Sequence, residues 1–178
     1  TEFDRYSTYI HTVQDTFVDD VGNVRSGNLD IVPLQCAVKH QKYCTTLNEF
    51  SYAEEVFTIA HVWGNTYYHG MLENIPRLAP YLEFLKRHSS IKVHVANKFV
   101  IPHLEILGIT RTRIIQGHVV AGIAYVPQAG GCGSIHPISG LVLQNLYSKF
   151  IHDHFNITRN TIVVIKRSAK MIETVNDE

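Results

Sequence analysis

Val56-Phe57-Thr58-Ile59-Ala60-His61-Val62-Trp63 is a short apolar run of β-branched and aromatic side chains, the composition of a buried strand. Gly64-Asn65 breaks it, and a helical pattern follows from Thr66 to about His88. Within that pattern Tyr68, Met71, Leu72, Ile75, Leu78, Ala79, Leu82 and Leu85 recur at spacings of three and four, which makes one broad apolar face. Pro76 has no N–H to give and crowds the preceding turn, so a kink or break is expected near Asn74-Ile75.

The alternation continues downstream. Ile91 to Ala96 reads as a strand, and Phe99 to Leu107 as a short helix ended by Gly108. Arg113 to Gln116 and Val119 to Val126 read as strands, and Pro127 to His136 as a Pro/Gly loop. Pro137 to Phe155 reads as a helix with proline at its start, and Thr161 to Lys166 as a strand. Strands and helices in this rhythm predict an α/β layered fold with a mostly parallel sheet. Ligands of such sheets sit beyond the carboxyl ends of the strands, which directs attention to the loops after Trp63, Val126 and Lys166. Upstream, Thr12 to Val18 reads as a strand, and the Asp19-Asp20-Val21-Gly22-Asn23 turn before Val24 signals a hairpin. Ser26 to Tyr52 has no sustained period and reads as loops with short strands.

Composition bounds the function. The chain has 178 residues, with 16 Lys+Arg against 16 Asp+Glu and 11 His. That length is one domain, or one and a part. Zero net charge without a Lys/Arg block argues against nucleic-acid binding as the main business. No apolar run approaches the ~18 residues a membrane span needs. The start at Thr1, without a signal-peptide pattern, reads either as a start that was removed or as a piece of something longer. Cys36, Cys44 and Cys132 form no C-x-x-C, so no zinc ribbon or thioredoxin-like motif is expected.

Three constellations carry possible chemistry, each with a plainer reading beside it. His69, Glu73 and Arg77 are spaced i, i+4, i+8, one stripe on a continuous helix. The stripe lies largely opposite the face of Leu72, Ile75 and Ala79, so it is expected toward solvent or a cleft. A carboxylate beside an imidazole orients the ring and stabilises its protonated form, the arrangement of a general base. The plainer reading is a solvated helix face. In the glycine cluster Ala129-Gly130-Gly131-Cys132-Gly133-Ser134, the amides around Gly131 and Gly133 suit an anion, or form a flexible connection. Lys166-Arg167-Ser168 ends the last strand with two cations and a hydroxyl, which suits a phosphate or is simply a basic strand end. His61 reads as a hydrogen-bonded core histidine, and no third metal ligand joins His69 and Glu73.

The stretch His61-Val62-Trp63-Gly64-Asn65-Thr66-Tyr67-Tyr68-His69-Gly70-Met71-Leu72-Glu73-Asn74-Ile75-Pro76-Arg77-Leu78 resembles the signature of glycosyltransferase family 61, with its Asn, aromatic pair, His, Glu, Pro and Arg. Leu104-Glu105-Ile106-Leu107-Gly108-Ile109, Ala124-Tyr125-Val126-Pro127 and Ile165-Lys166-Arg167-Ser168 are similar to later family segments, in the same order. The tail retains Asn176 and Glu178 and lacks the second arginine of the family's strand end. The resemblance covers roughly Val56 to Ser168. It implies a GT-B-like architecture and inverting transfer from a nucleotide sugar, a UDP-sugar, to a hydroxyl of a glycan or protein acceptor, with no metal or other cofactor. It implies the endoplasmic reticulum or Golgi lumen for a eukaryotic chain. The implied organisation is a β-rich segment over 1–55, a Rossmann-like N-terminal transferase domain over 56–158, and over 159–178 the start of a truncated donor-binding domain. The resemblance makes His69 the candidate base or an acceptor-side residue with Glu73 and Arg77 in support, and makes Lys166, Arg167, Ser168, Gly131 and Gly133 donor contacts. The alternative is a truncated or degenerate, non-catalytic binding or structural module of the same fold.

Overall fold

The computed structural model describes residues 8–33, 49–128 and 135–154. The glycine loop with Gly131 and Gly133, the expected strand 161–166, Lys166, Arg167, Ser168 and the three cysteines lie outside the described residues. The described chain is mixed α/β, built on one seven-stranded sheet.

The strands are β1 (Ile10–Val18), β2 (Val24–Ser26), β3 (Leu29–Ile31), β4 (Phe50–Thr58), β5 (Lys92–His94), β6 (Ile114–Ile115) and β7 (His118–Pro127), in the spatial order β3-β2-β1-β7-β4-β5-β6. The pairs β7–β4, β4–β5 and β5–β6 are parallel; β3–β2, β2–β1 and β1–β7 are antiparallel. The expectation of a mostly parallel sheet is therefore corrected to an evenly mixed one. Period-two patterning identifies a strand but not its partner, and β1 runs antiparallel along all of β7, from Ile10 opposite Pro127 to Val18 opposite Val119.

The β1–β2 hairpin is set by Asp19. Its Oδ1 accepts from the backbone N–H of Val21 at 3.1 Å and of Asn23 at 2.8 Å, and its Oδ2 from Asn23 Nδ2 at 2.7 Å. Gly22 sits at φ +80, and a side chain there would strike the Ala60 carbonyl. The hairpin thus packs on the end of β4.

β4 begins six residues before the apolar run and ends at Thr58. Its outer part escapes sequence patterning because Phe50, Ser51 and Tyr52 are all exposed and are ordered by pairing with β7 from His118 onward. After Thr58 the chain leaves the sheet, and Gly64 N–H closes a turn on the His61 carbonyl at 2.8 Å.

The expected long helix is a composite over 67–87. A turn of α1 (Tyr67–His69) widens into a π-helical stretch, Gly70–Asn74, then α2 (Ile75–Leu78), a 3-10 turn, Ala79–Tyr81, and α3 (Leu82–Arg87). The irregularities precede Pro76 and bracket Pro80, whose rings disallow the regular i→i−4 ladder. α4 (Ile101–Ile106) follows β5, and α5 (Pro137–His154) follows β7 and packs on α2. Phe57, Ile59, Val93 and Val95 meet Ile75, Leu78, Leu82, Leu85, Leu104 and Leu143 in the main core under the helices. Val13, Val56, Val119 and Ala124 form a second buried cluster. Consecutive Val56 and Phe57 belong to different clusters, so the two lie on opposite faces of the sheet.

The parallel strands stand in the order β6-β5-β4-β7, so chain order reverses between β4 and β7. The link from β6 to β7 is only Gln116-Gly117, without a crossover helix. Buried His94 holds it: Nε2 meets the Gly117 carbonyl at 2.9 Å, and Nδ1 meets Thr58 Oγ1 at 3.0 Å. Among the described residues no helix is long and apolar enough to cross a membrane.

Candidate functional site

Glu73 is the centre of the site. It is 2% exposed, and its Oε2 lies 2.7 Å from His69 Nδ1 and 3.1 Å from His61 Nε2. The first contact is an aligned hydrogen bond; the second is a close electrostatic contact. The two histidines reach the carboxylate from different elements. His61 comes from the turn after β4, and His69 from one turn before Glu73 on the helical segment. Their rings stand edge to face with centroids 6.1 Å apart.

The hydrogen bonds fix the tautomers. His61 Nδ1 accepts the Trp63 backbone N–H at 3.1 Å, so in the neutral ring the proton is on Nε2, toward Glu73. Burial pushes His61 down to about 4; the Arg77 charge adds to this, and the Glu73 carboxylate opposes it. His61 is therefore neutral at physiological pH. With Glu73 ionised, His69 carries its proton on Nδ1, leaving the Nε2 lone pair as a base. The His69 side chain is 29% exposed, so the network runs from a buried backbone amide to an imidazole that solvent reaches.

Arg77 does different work. It is 4% exposed and spans the gap where strand order reverses. Nη1 donates to the Ala60 carbonyl at 3.0 Å; Nη2 and Nε donate to the Pro127 carbonyl at 2.9 and 3.3 Å. These are the carbonyls just past β4 and at the end of β7, so Arg77 ties the two strand ends together. Burial pushes its guanidinium down to about 9, which leaves it protonated at neutral pH.

This corrects the expectation that the stripe faces solvent or a cleft: of His69, Glu73 and Arg77, only His69 does. The reason is twofold. The π-helical turn Gly70–Asn74 adds a residue to one turn and shifts the phase between His69 and Arg77. All four residues of α2 are buried, because this turn lies between the strand ends and α5. The structure does bring His69 and Glu73 together as spacing implies. The reading of His61 as a hydrogen-bonded core histidine holds, but its place beside Glu73 is a tertiary contact with no mark in the sequence.

Glu73 and Arg77 also border a cavity of about 20 Å³ with Pro76, Tyr81, Gln128 and His136, room for an ordered water. Asn74 is fully buried, and among the described residues its amide has no hydrogen-bond partner. Among the described residues no group of three His, Cys, Asp or Glu side chains is placed to hold a metal ion. His152 and His154 are exposed at the end of α5 and join no site.

The arrangement supplies one buried carboxylate, one accessible oriented imidazole, and a second histidine and an arginine that hold them at the carboxyl ends of β4 and β7. Comparison with family models, with curated proteins and with solved structures finds no significant match to this chain.

Proposed function

We propose that the chain is the N-terminal, Rossmann-like half of a GT-B-like, family 61-type glycosyltransferase, in which His69 deprotonates an acceptor hydroxyl. The observation that carries this reading is the 2.7 Å bond from His69 Nδ1 to buried Glu73 Oε2. It leaves Nε2 as an accessible base just beyond parallel strand ends. Glu73 orients the ring and stabilises the imidazolium that forms as the proton is taken. The acceptor oxygen then attacks the anomeric carbon of a UDP-sugar, the bond to the diphosphate breaks, and the configuration inverts. Charge on the leaving diphosphate needs cations or amides, a role that falls to Lys166, Arg167, Ser168 and the amides of Gly131 and Gly133. For a eukaryotic chain the site of action in this reading is the endoplasmic reticulum or Golgi lumen.

The strand order β6-β5-β4-β7 supports the Rossmann-like reading; the two-residue link from β6 to β7 departs from it. One observation favours the second reading, a non-catalytic module: the polar network also serves the fold, since the Arg77 donors are directed to backbone carbonyls. The test is sugar transfer from UDP-sugars by the full-length protein and its His69→Ala variant. A fall of about 10²- to 10⁴-fold with folding intact is expected. An unchanged rate removes His69 from the mechanism, and no transfer by the parent with any UDP-sugar favours the non-catalytic module.

A further inference from the structure

Large aromatic side chains that stay about half exposed beside an accessible imidazole invite a reason, because their apolar area is worth burying. Trp63 is 44% exposed and Tyr68 53% exposed, and both rings stand next to His69. The Trp63 and His69 centroids are 6.2 Å apart with planes 30° from parallel; the Tyr68 and His69 centroids are 5.3 Å apart, edge to face. Nor is Trp63 on a loose loop. Its N–H donates to His61 Nδ1 at 3.1 Å, and its carbonyl accepts from Thr66 N–H at 3.2 Å and Thr66 Oγ1 at 3.3 Å. The turn that presents the indole is thus fixed by the same histidine that faces Glu73.

We propose that Trp63 and Tyr68, with His69 between them, form a subsite for a neutral pyranose ring that offers its hydroxyl to His69. The inference rests on the transferase reading and narrows its acceptor to a carbohydrate. Three features select that chemistry. Exposed aromatic faces suit the C–H face of a sugar ring, which is flat and apolar while its rim is polar. His69 Nε2 is an acceptor placed for a hydroxyl. The charges of the network are committed inside the protein: Glu73 is buried on His69, and Arg77 points its Nε, Nη1 and Nη2 at carbonyl oxygens. A phosphate at this mouth would find no guanidinium from Arg77, whereas a neutral sugar needs none. The surface is held in place before binding, which lowers the entropy cost of ordering it.

Trp63 is the single tryptophan of the chain, so tryptophan emission in the folded protein, excited apart from the nine tyrosines, comes from this subsite. The experiment titrates the full chain with neutral methyl pyranosides and their disaccharides, and repeats the titration in the presence of UDP or of inorganic phosphate. A saturable change in Trp63 emission with at least one neutral sugar is expected, and neither UDP nor phosphate displaces that sugar. Tyr68→Ala weakens the apparent Kd about 2- to 12-fold, the worth of one aromatic contact. Tyr52→Ala, an exposed tyrosine on β4, leaves it unchanged. Circular dichroism confirms that both variants fold. Displacement of the sugar by UDP or phosphate, no response to any sugar up to its solubility, or equal binding by Tyr68→Ala each overturns the subsite. The two readings fail separately: sugar binding without transfer from any UDP-sugar refutes the transferase, and transfer that depends on His69 without sugar binding refutes the subsite.

Discussion

Replacing Arg77 by alanine tests how the site is held. The guanidinium is fully desolvated and makes three charge-assisted bonds to two backbone carbonyls, Ala60 and Pro127. Arg77→Ala leaves both buried carbonyls without these donors, and removes the positive charge that borders the same small cavity as Glu73. A hydrogen bond to a charged group contributes about 1.5–3 kcal/mol, so two orphaned carbonyls imply roughly 3–6 kcal/mol. Removing one partner of a buried charged network costs about 3–5 kcal/mol, which agrees. We take about 3–5 kcal/mol, equivalent for a chain of this size to a fall in Tm of roughly 6–20 °C. The assay is equilibrium unfolding in urea, followed by far-ultraviolet circular dichroism and by Trp63 fluorescence. Arg77→Lys recovers at most half of the loss, because one ammonium cannot reproduce a fork that spans two carbonyls. A loss below about 1 kcal/mol for Arg77→Ala would refute the strand-end clamp, since water would then serve those carbonyls equally well.

Other expectations rest on the same contacts. Glu73→Gln keeps the volume and removes the charge that steadies the His69 imidazolium; transfer by the full-length protein falls about 10²-fold or more, while Trp63 emission in the absence of ligand is unchanged. Stability is pH-dependent in a definite direction. Burial pushes both His61 and His94 down to about 4 from 6.5, so the unfolded chain binds the extra protons. Their contribution is fully present above about pH 6.5 and is lost as pH falls toward about 4, roughly 2 kcal/mol for each histidine by about pH 5. Urea midpoints measured between neutral and mildly acid pH check this, and His94→Gln should flatten part of the slope. A midpoint that does not change over that window would contradict burial of these two rings in the neutral form.

How much of the fold and site is legible in the sequence depends on which contacts are local. The alternation of strands and helices, the hairpin at Asp19 and the kink before Pro76 are all local signals, and each corresponds to a described element. The His69–Glu73 pair is also local, four residues apart on one helical segment. Partner choice and depth are beyond any local pattern. β1 looks the same whether it pairs in a separate sheet or along β7. The outer half of β4 carries exposed side chains and so shows no apolar period. Glu73 and Arg77 read as a polar face because polar residues on an ideal helix usually meet water; here that face meets two strand ends and α5. His61 belongs to the site through a fold-level contact that no spacing announces. His94 is a similar case, since only its burial between Thr58 and Gly117 gives it a role.

The central claim is that Glu73 fixes His69 as an Nδ1–H imidazole with a free Nε2. Nitrogen-15 NMR of the imidazole rings, assigned with the His69→Ala variant, reads this tautomer directly. Neutral His69 is expected mainly in the Nδ1–H form, and Glu73→Gln is expected to move it toward the Nε2–H form that free imidazole rings favour. A His69 that is already mainly Nε2–H in the unaltered protein would contradict the account, because its Nε2 would then be no base.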